Sequence, residues 1–271
     1  MIETSNFNDW EESAMKNPVR WDNLNTREIK ALAEKQAIVL LPVGSTEQHG
    51  PHLPVGCDHL MATGMSERIA AELNSRGIPC VVAPSIAVAN STHHMSFCGS
   101  MTLRAETYMH LLFDYCKSIA SHGFRKIVIV NGHGGNVAPT ETALIEINEA
   151  LGFPVYFTGY WKGDKTAQSD VLESQSGMIH ACEGETSLLW ALDEEWIDPI
   201  YKETKGNPGY PLPAEEEGIL STFHRMEMHT ENGVMGNSCF ASREKGEKMV
   251  ARMVKGMADV LSDERLWQQR V

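Results

Sequence analysis

Positive charge is scarce in this 271-residue chain: 23 Lys and Arg stand against 36 Asp and Glu, a net charge of −13. Nucleic acid and anionic membranes both reward basic surfaces, so neither is expected as a partner. Long apolar runs are missing as well. No stretch of about eighteen apolar residues occurs, so no membrane span is expected. The opening "MIETSNFNDWEESAMKNPVRW" has neither the basic head nor the apolar middle of a secretory signal. The six cysteines (57, 80, 98, 116, 182 and 239) form no CxxC pair and read as free thiols rather than a disulfide frame. Cys57 and Cys182 read as small buried fillers. There is no internal repeat, no low-complexity linker, and no GxGxxG or GK[ST] phosphate loop. What is present is ordinary for a soluble enzyme: 42% hydrophobic and 22% charged residues. The expectation is a cytoplasmic protein acting on a small molecule.

Strand and helix patterns alternate with short turns. Strands are expected at 37–43 ("AIVLLPV"), 79–88, 126–130 and 154–161. Helices are expected at 25–36, 59–77, 104–123, 138–152, 184–196 and 241–266. Asn25 or Thr26 caps the first helix, and Gly77 and Gly123 close the second and third. Apolar runs of this kind suit strands covered on both faces. The pattern implies a single α/β domain, a mainly parallel sheet flanked by helices. Residues 1–25 read as an irregular arm and 26–271 as the domain. The Pro-, Gly- and Glu-rich region 198–238 reads as a functional or interface loop.

Three polar clusters carry the chemistry. In open α/β sheets, ligands sit beyond the carboxyl ends of the strands, where two of the clusters fall. The first is Glu47-Gln48-His49, in "LPVGSTEQHGPHLPVGCDH" (41–59). In extended chain, residues 47 and 49 project to one side and could face one ion. Asp58 follows just before a helix, as a further ligand or as that helix's N-cap. The second is "VNGHGGN", with a glycine on each side of His133. The alternative here is a phosphate-cradling turn. The third is "HACEGETS" (180–187), where Glu183 and Glu185 either ligate or complement the helix dipole. Mixed imidazole and carboxylate donors suit zinc, manganese or Fe(II). Glu47, His49, Asp58, His133 and Glu183 exceed what one catalytic zinc needs and match two ions sharing a carboxylate.

These blocks, with "GVMGNSCFASREKGE", resemble the signature motifs of the creatininase family over about residues 37–262. The resemblance implies a cytoplasmic, metal-dependent amidohydrolase that forms closed homo-oligomers, with a hexamer favoured. It implies two divalent ions per chain, zinc first, with manganese or iron as alternatives. It places Glu47 and His49 as one ligand for each metal, Asp58 as the bridging aspartate and His133 as the histidine ligand. Creatininase proper has a glutamate two residues after that histidine. Here the position is Gly135, and the missing carboxylate is expected from Glu183. His180 resembles the family's proton shuttle and Trp161 its substrate-covering tryptophan, while His93 and His94 are expected to line the pocket. Gly135 and Ile179, which stands where creatininase proper has Glu, argue against creatinine itself. Formyl amides, peptide precursors and cyclic ketone sugars are the other substrate classes that the family implies. A sugar-phosphate or nucleotide binding protein using the glycine loop is the rival of another class.

Overall fold

The computed structural model describes residues 19–206, 220 and 222–268. Four parallel strands form one sheet: β1 (Ile38–Val43), β2 (Cys80–Val82), β3 (Lys126–Asn131) and β4 (Val155–Gly159), in the order β2-β1-β3-β4. β1 pairs with β3 along its whole length, from Ile38 opposite Lys126 to Val43 opposite Asn131. The helices are α1 (Thr26–Glu34), α2 (Cys57–Ser75), α3 (Ala105–Ser121), α4 (Val137–Leu151), α5 (Glu183–Leu192) and α6 (Arg243–Leu261).

Alternation along the strands explains the two layers. Ile38 and Leu40 of β1, with Val128 and Val130 of β3, face a core shared with α2, α5 and α6. Val39, Leu41, Val43, Ile127 and Ile129 face the opposite core, shared with α1, α3 and α4. Both faces of the central strands are therefore dry, as their apolar runs require. This is a single domain with a parallel sheet flanked by helices.

Most element boundaries lie within two residues of those expected. Asn25 caps α1 in a full capping box with Glu28. Gly77 and Gly123 follow α2 and α3 with φ of +76° and +99°. The expected strand 79–88 is the main exception, since only Cys80–Val82 pairs as a strand. Ala83 N–H still donates to Leu40 O, but the next bond to β1 runs from Ile86 N–H to Pro42 O, one residue later than regular pairing requires, so only an isolated bridge from Val43 to Ile86 extends the strand's line. α5 stops at Leu192, and a short 3-10 turn covers Glu194–Trp196. α6 stops at Leu261, before a second turn at Glu264–Gln268.

Residues 19–25 pack on the sheet: Val82 N–H donates to Val19 O at 2.7 Å, and the Trp21 and Phe124 rings lie 5.2 Å apart. The rest of the expected arm, and residues 207–219 and 221 of the expected loop 198–238, lie outside the described residues. No described helix is long and apolar enough to cross a membrane.

Candidate metal centre

The strand order reverses between β1 and β3, and the loops that leave their carboxyl ends build the site. Glu47 and His49 follow β1, Asp58 lies in the first turn of α2, and His133 follows β3. All four are buried. The N-cap of α2 is Gly56, so Asp58 is not the cap. Its carboxylate instead lies between two imidazoles, with Oδ1 3.1 Å from His49 Nε2 and Oδ2 3.0 Å from His133 Nδ1. Glu47 Oε1 stands 3.3 Å from His133 Nδ1 on one side. On the other, Glu185 Oε2 stands 3.9 Å from His49 Nε2. Glu185 is buried in the first turn of α5. The donors thus fall into two lobes that meet at Asp58.

Each imidazole is oriented from behind. His133 Nε2 lies 2.9 Å from Asn90 O, and His49 Nδ1 lies 3.1 Å from Glu47 O. A carbonyl only accepts, so those nitrogens carry the protons and the lone pairs of His133 Nδ1 and His49 Nε2 point inward. Such backing is how metal-binding histidines are held. Ser91 Oγ donates to Glu47 Oε2 at 2.6 Å, which leaves Oε1 turned to the centre. The two asparagines of "NGHGGN" shape its turn. His133 N–H donates to Asn131 Oδ1 at 3.1 Å, and Asn136 Nδ2 donates to Gly44 O at 2.9 Å.

The donor set fits a divalent cation. His49 Nε2 and Asp58 Oδ2 are buried without a hydrogen-bond partner, although both lie close to opposite-charge groups. The short contacts have the distances of ion pairs without the angles of hydrogen bonds, as expected where lone pairs converge on a shared point. Three overlapping groups, Glu47–His49–His180, Glu47–His93–His133 and His49–Asp58–Glu185, each offer donor atoms within 4.8 Å of one another. The electrostatics agree. Burial opposes charge on His133, yet Glu47 and Asp58 raise it to about 10. Burial opposes ionisation of Glu47 too, but His133, His180 and His49 hold it well below the usual carboxylate range. Burial pushes Glu185 up to about 7, with His49 opposing and Asp58 reinforcing. The pocket demands positive charge that its own imidazoles meet only by protonation.

The family description "Creatininase: Creatinine amidohydrolase" matches residues 22–261. This chain belongs to the creatininase family. A mycofactocin precursor peptide peptidase of Mycobacterium ulcerans (strain Agy99) is 31% identical over 222 residues, 80% of this chain and 81% of the relative. A 3-dehydro-scyllo-inosose hydrolase of Thermotoga maritima is 30% identical over 263 residues, 90% of this chain and 83% of the relative. A solved structure of a mutant creatininase, Zn-Zn type, superposes with a TM-score of 0.75 at 27% identity, covering 90% of this chain and 96% of that one. The named relatives are hydrolases, and family membership makes this chain an enzyme. The donor set and the zinc-bearing neighbour together support a divalent metal in this creatininase-family centre.

The other expected residues divide. His94 is buried, with Nε2 3.3 Å from Glu47 Oε1, and burial with its neighbouring imidazoles pushes it down to about 2. His93 stacks on His133, ring centroids 5.4 Å apart. The His180 ring centroid lies 4.3 Å from that of His49, and its Nδ1 is 3.6 Å from Glu47 Oε1. Trp161 packs on Gly159 and edge-on against Tyr160, so a substrate-covering role rests on resemblance alone. Glu183 is placed elsewhere than expected. Its buried carboxylate accepts from Lys245 Nζ at 2.7 Å, Ser174 Oγ at 2.6 Å, and the N–H groups of Ser174 at 2.8 Å and Glu173 at 3.0 Å. Glu185, which the sequence leaves open between ligand and helix-dipole partner, turns to the cluster. Two positions along a helix are about 200° apart, so only one of the pair can face the sheet end. Glu185 shares its face with core residues Leu188 and Leu189, a signal present in the sequence. Gly135 leaves no room for a side-chain carboxylate beside His133. A Cβ there would lie 2.4 Å from His133 Nε2 and 2.5 Å from Asn90 O, on the bond that orients His133.

Proposed function

We propose that this chain is a dinuclear metal hydrolase of a C–N amide bond in a small or peptide-like substrate. The observation that carries this reading is the Asp58 carboxylate, one oxygen toward His49 and the other toward His133, with Glu185 and Glu47 on the outer sides. Glu47, His133 and Asp58 Oδ2 would hold one ion. His49, Glu185 and Asp58 Oδ1 would hold the other. Zinc is favoured by the imidazole–carboxylate donors and the zinc-bearing neighbour, with manganese or iron as alternatives. When bound, the ions supply a water that is nucleophilic near neutral pH and polarise the substrate carbonyl.

The chain's own residues do the rest. His180 carries a proton from the attacking water to the leaving nitrogen, a task suited to an imidazole beside Glu47. His93 and His94 line the approach, and Trp161 covers the substrate. Glu183, expected from sequence as a ligand and catalytic group, serves here as an anchor of the HACE turn. That turn carries Ala181 at φ +50°, an uncommon conformation for a residue with a side chain. Ala181 N–H donates to Glu185 Oε2 at 2.5 Å, which aims that carboxylate.

The sequence reading of a cytoplasmic homo-oligomer, with no nucleic acid or membrane partner, is retained in this proposal. The hexamer is tested by native mass at micromolar concentration, where a monomer would remove it. The inosose hydrolase relative keeps cyclic ketones as a second substrate class. The decisive experiment is a screen of zinc- or manganese-loaded protein against cyclic amides, formamides, short peptides and inosose-like ketones. Turnover of ketones alone would replace the amide reading. Far less than one transition metal per chain would overturn the hydrolase mechanism altogether and favour a binding protein. His180→Ala should keep metal content and lower turnover about a hundredfold. The loss should shrink for good leaving groups, and an unchanged turnover number would make His180 structural.

A further inference from the structure

Gln48 lies between two of the proposed ligands, is almost fully buried, and has no role in the chemistry above. Its side chain has an unusual set of neighbours. Nε2 lies 2.9 Å from His94 Nδ1, 3.0 Å from His180 Nε2 and 3.0 Å from Gly233 O. Oε1 accepts from Gly50 N–H at 3.0 Å. The amide orientation follows from these partners. Exchanging its oxygen and nitrogen would set Oε1 against the Gly233 carbonyl and the NH2 group against the Gly50 N–H, two repulsive contacts.

Counting protons then assigns both imidazoles. The amide nitrogen has two protons and three neighbours. Gly233 O can only accept, so it takes one. His180 Nε2 lies 2.8 Å from the backbone carbonyl of Gln48, which also only accepts. His180 Nε2 therefore carries its own proton and cannot accept the second amide proton. That proton goes to His94 Nδ1. His94 consequently holds its proton on Nε2, the nitrogen 3.3 Å from Glu47 Oε1. His180 has a bare Nδ1, 3.6 Å from the same oxygen.

The geometry points to Gln48 as a positioning residue that sets the tautomers of His94 and His180, through its side-chain amide for the first and its backbone carbonyl for the second. His94 thereby turns its N–H side, rather than a lone pair, toward Glu47. His180 enters the reaction with a lone pair toward the cluster, so it first takes a proton from water and then passes that proton to the leaving nitrogen. Gly233 completes the arrangement. It has φ +81°, and a Cβ there would come within 1.7 Å of Gln48 Oε1, so the loop backbone is pressed onto the amide. The same loop is tied to His180 itself, because Met235 N–H donates to His180 O at 2.9 Å. The shuttle step rests on the proposed hydrolase activity, whereas the tautomer assignment does not.

The test uses the zinc-loaded 271-residue chain labelled with 15N-histidine. Long-range 15N–1H spectra report which ring nitrogen carries the proton. In the unsubstituted protein, His94 and His180 are both expected protonated on Nε2 with a bare Nδ1. In Gln48→Met, His94 should lose its single tautomer. Turnover of whichever amide the unsubstituted protein accepts should fall at least tenfold, with KM and zinc content within about twofold. A proton on Nδ1 of either ring in the unsubstituted protein would overturn the inference. So would Gln48→Met with unchanged ring signals and turnover, or a loss of zinc, which would make Gln48 a support for the ligands instead. If Gln48→Met does not fold, Gln48→Glu keeps the acceptor for Gly50 and removes the donor, with the same expected result. If no amide is turned over, the hydrolase reading fails, and the ring spectra alone still decide the role of Gln48.

Discussion

Glu183→Ala and Glu185→Gln test the proposed roles of two glutamates two residues apart, Glu183 as anchor and Glu185 as metal ligand. The Glu183 carboxylate is buried and takes four hydrogen bonds from Lys245, Ser174 and Glu173. Its removal strands two backbone N–H groups and takes one partner from Lys245. Breaking a buried charge pair costs about 3–5 kcal/mol. Lys245 keeps Glu173 at 2.6 Å and Phe240 O at 2.7 Å, which favours the low end, about 3 kcal/mol. With an unfolding entropy of about 2 cal/mol/K per residue over 271 residues, 1 kcal/mol moves the midpoint by about 2 °C. The expected fall in Tm is therefore about 5 °C, measured by circular dichroism after chelation so that metal binding does not contribute. Zinc content by mass spectrometry should stay unchanged. Glu185→Gln should behave the opposite way, losing about one equivalent of zinc with little change in the chelated Tm. If Glu183→Ala loses an equivalent of metal while its chelated Tm drops by less than about 1 °C, the assignment of the two glutamates is reversed.

Other outcomes follow from the same geometry. Asp58→Ala should remove nearly all metal and activity, and two retained ions per chain would refute the bridging role. Gly135→Ala should displace Asn90 or His133 and weaken metal binding by about 10–100-fold, read by competition with a chromogenic chelator. Unchanged affinity would mean that the turn gives way. Burial raises the Cys57 thiol to about 12 and Cys116 to about 12, so neither forms thiolate at pH 8. Iodoacetamide at that pH should label the exposed Cys98 and the half-buried Cys239 while sparing Cys57, Cys80, Cys116 and Cys182. Peptide mapping that finds modified Cys57 in folded protein would contradict the packing at His49.

The parts of the fold that are legible from sequence are those where local signals agree. Asn25 with Glu28, and Gly77 and Gly123 after amphipathic runs, mark helix ends by their own chemistry. The apolar runs of β1 and β3 signal burial on both faces. Glu47, His49, Asp58 and His133 are legible because they lie at strand ends or a helix start, where a polar group has few reasons to be buried. The rest depends on through-space facts. Glu183 and Glu185 have the same chemistry and lie in one helical turn; the apolar face that Glu185 shares with Leu188 and Leu189 hints at the difference, and the partners brought to Glu183 through space, Lys245 from 62 residues away and Ser174, complete it. Gln48 carries no signal of its own between the two proposed ligands, and its contacts depend on the Gly233 loop brought against it. The short β2 reads too long in sequence because Ile86 and Val88 continue its apolar character, while regular pairing with β1 ends at Val82.

The parallel order β2-β1-β3-β4 also imposes a sequence of events on a growing chain. Ile38 of β1 must wait for Lys126 of β3 before the two strands can pair, and only then can the turn bearing His133 meet Glu47 and Asp58. One lobe of the centre is thus encoded by residue 133, and the chain emerging to that point already contains all of its donors. The other lobe lacks its outer carboxylate until Glu185 has been synthesised.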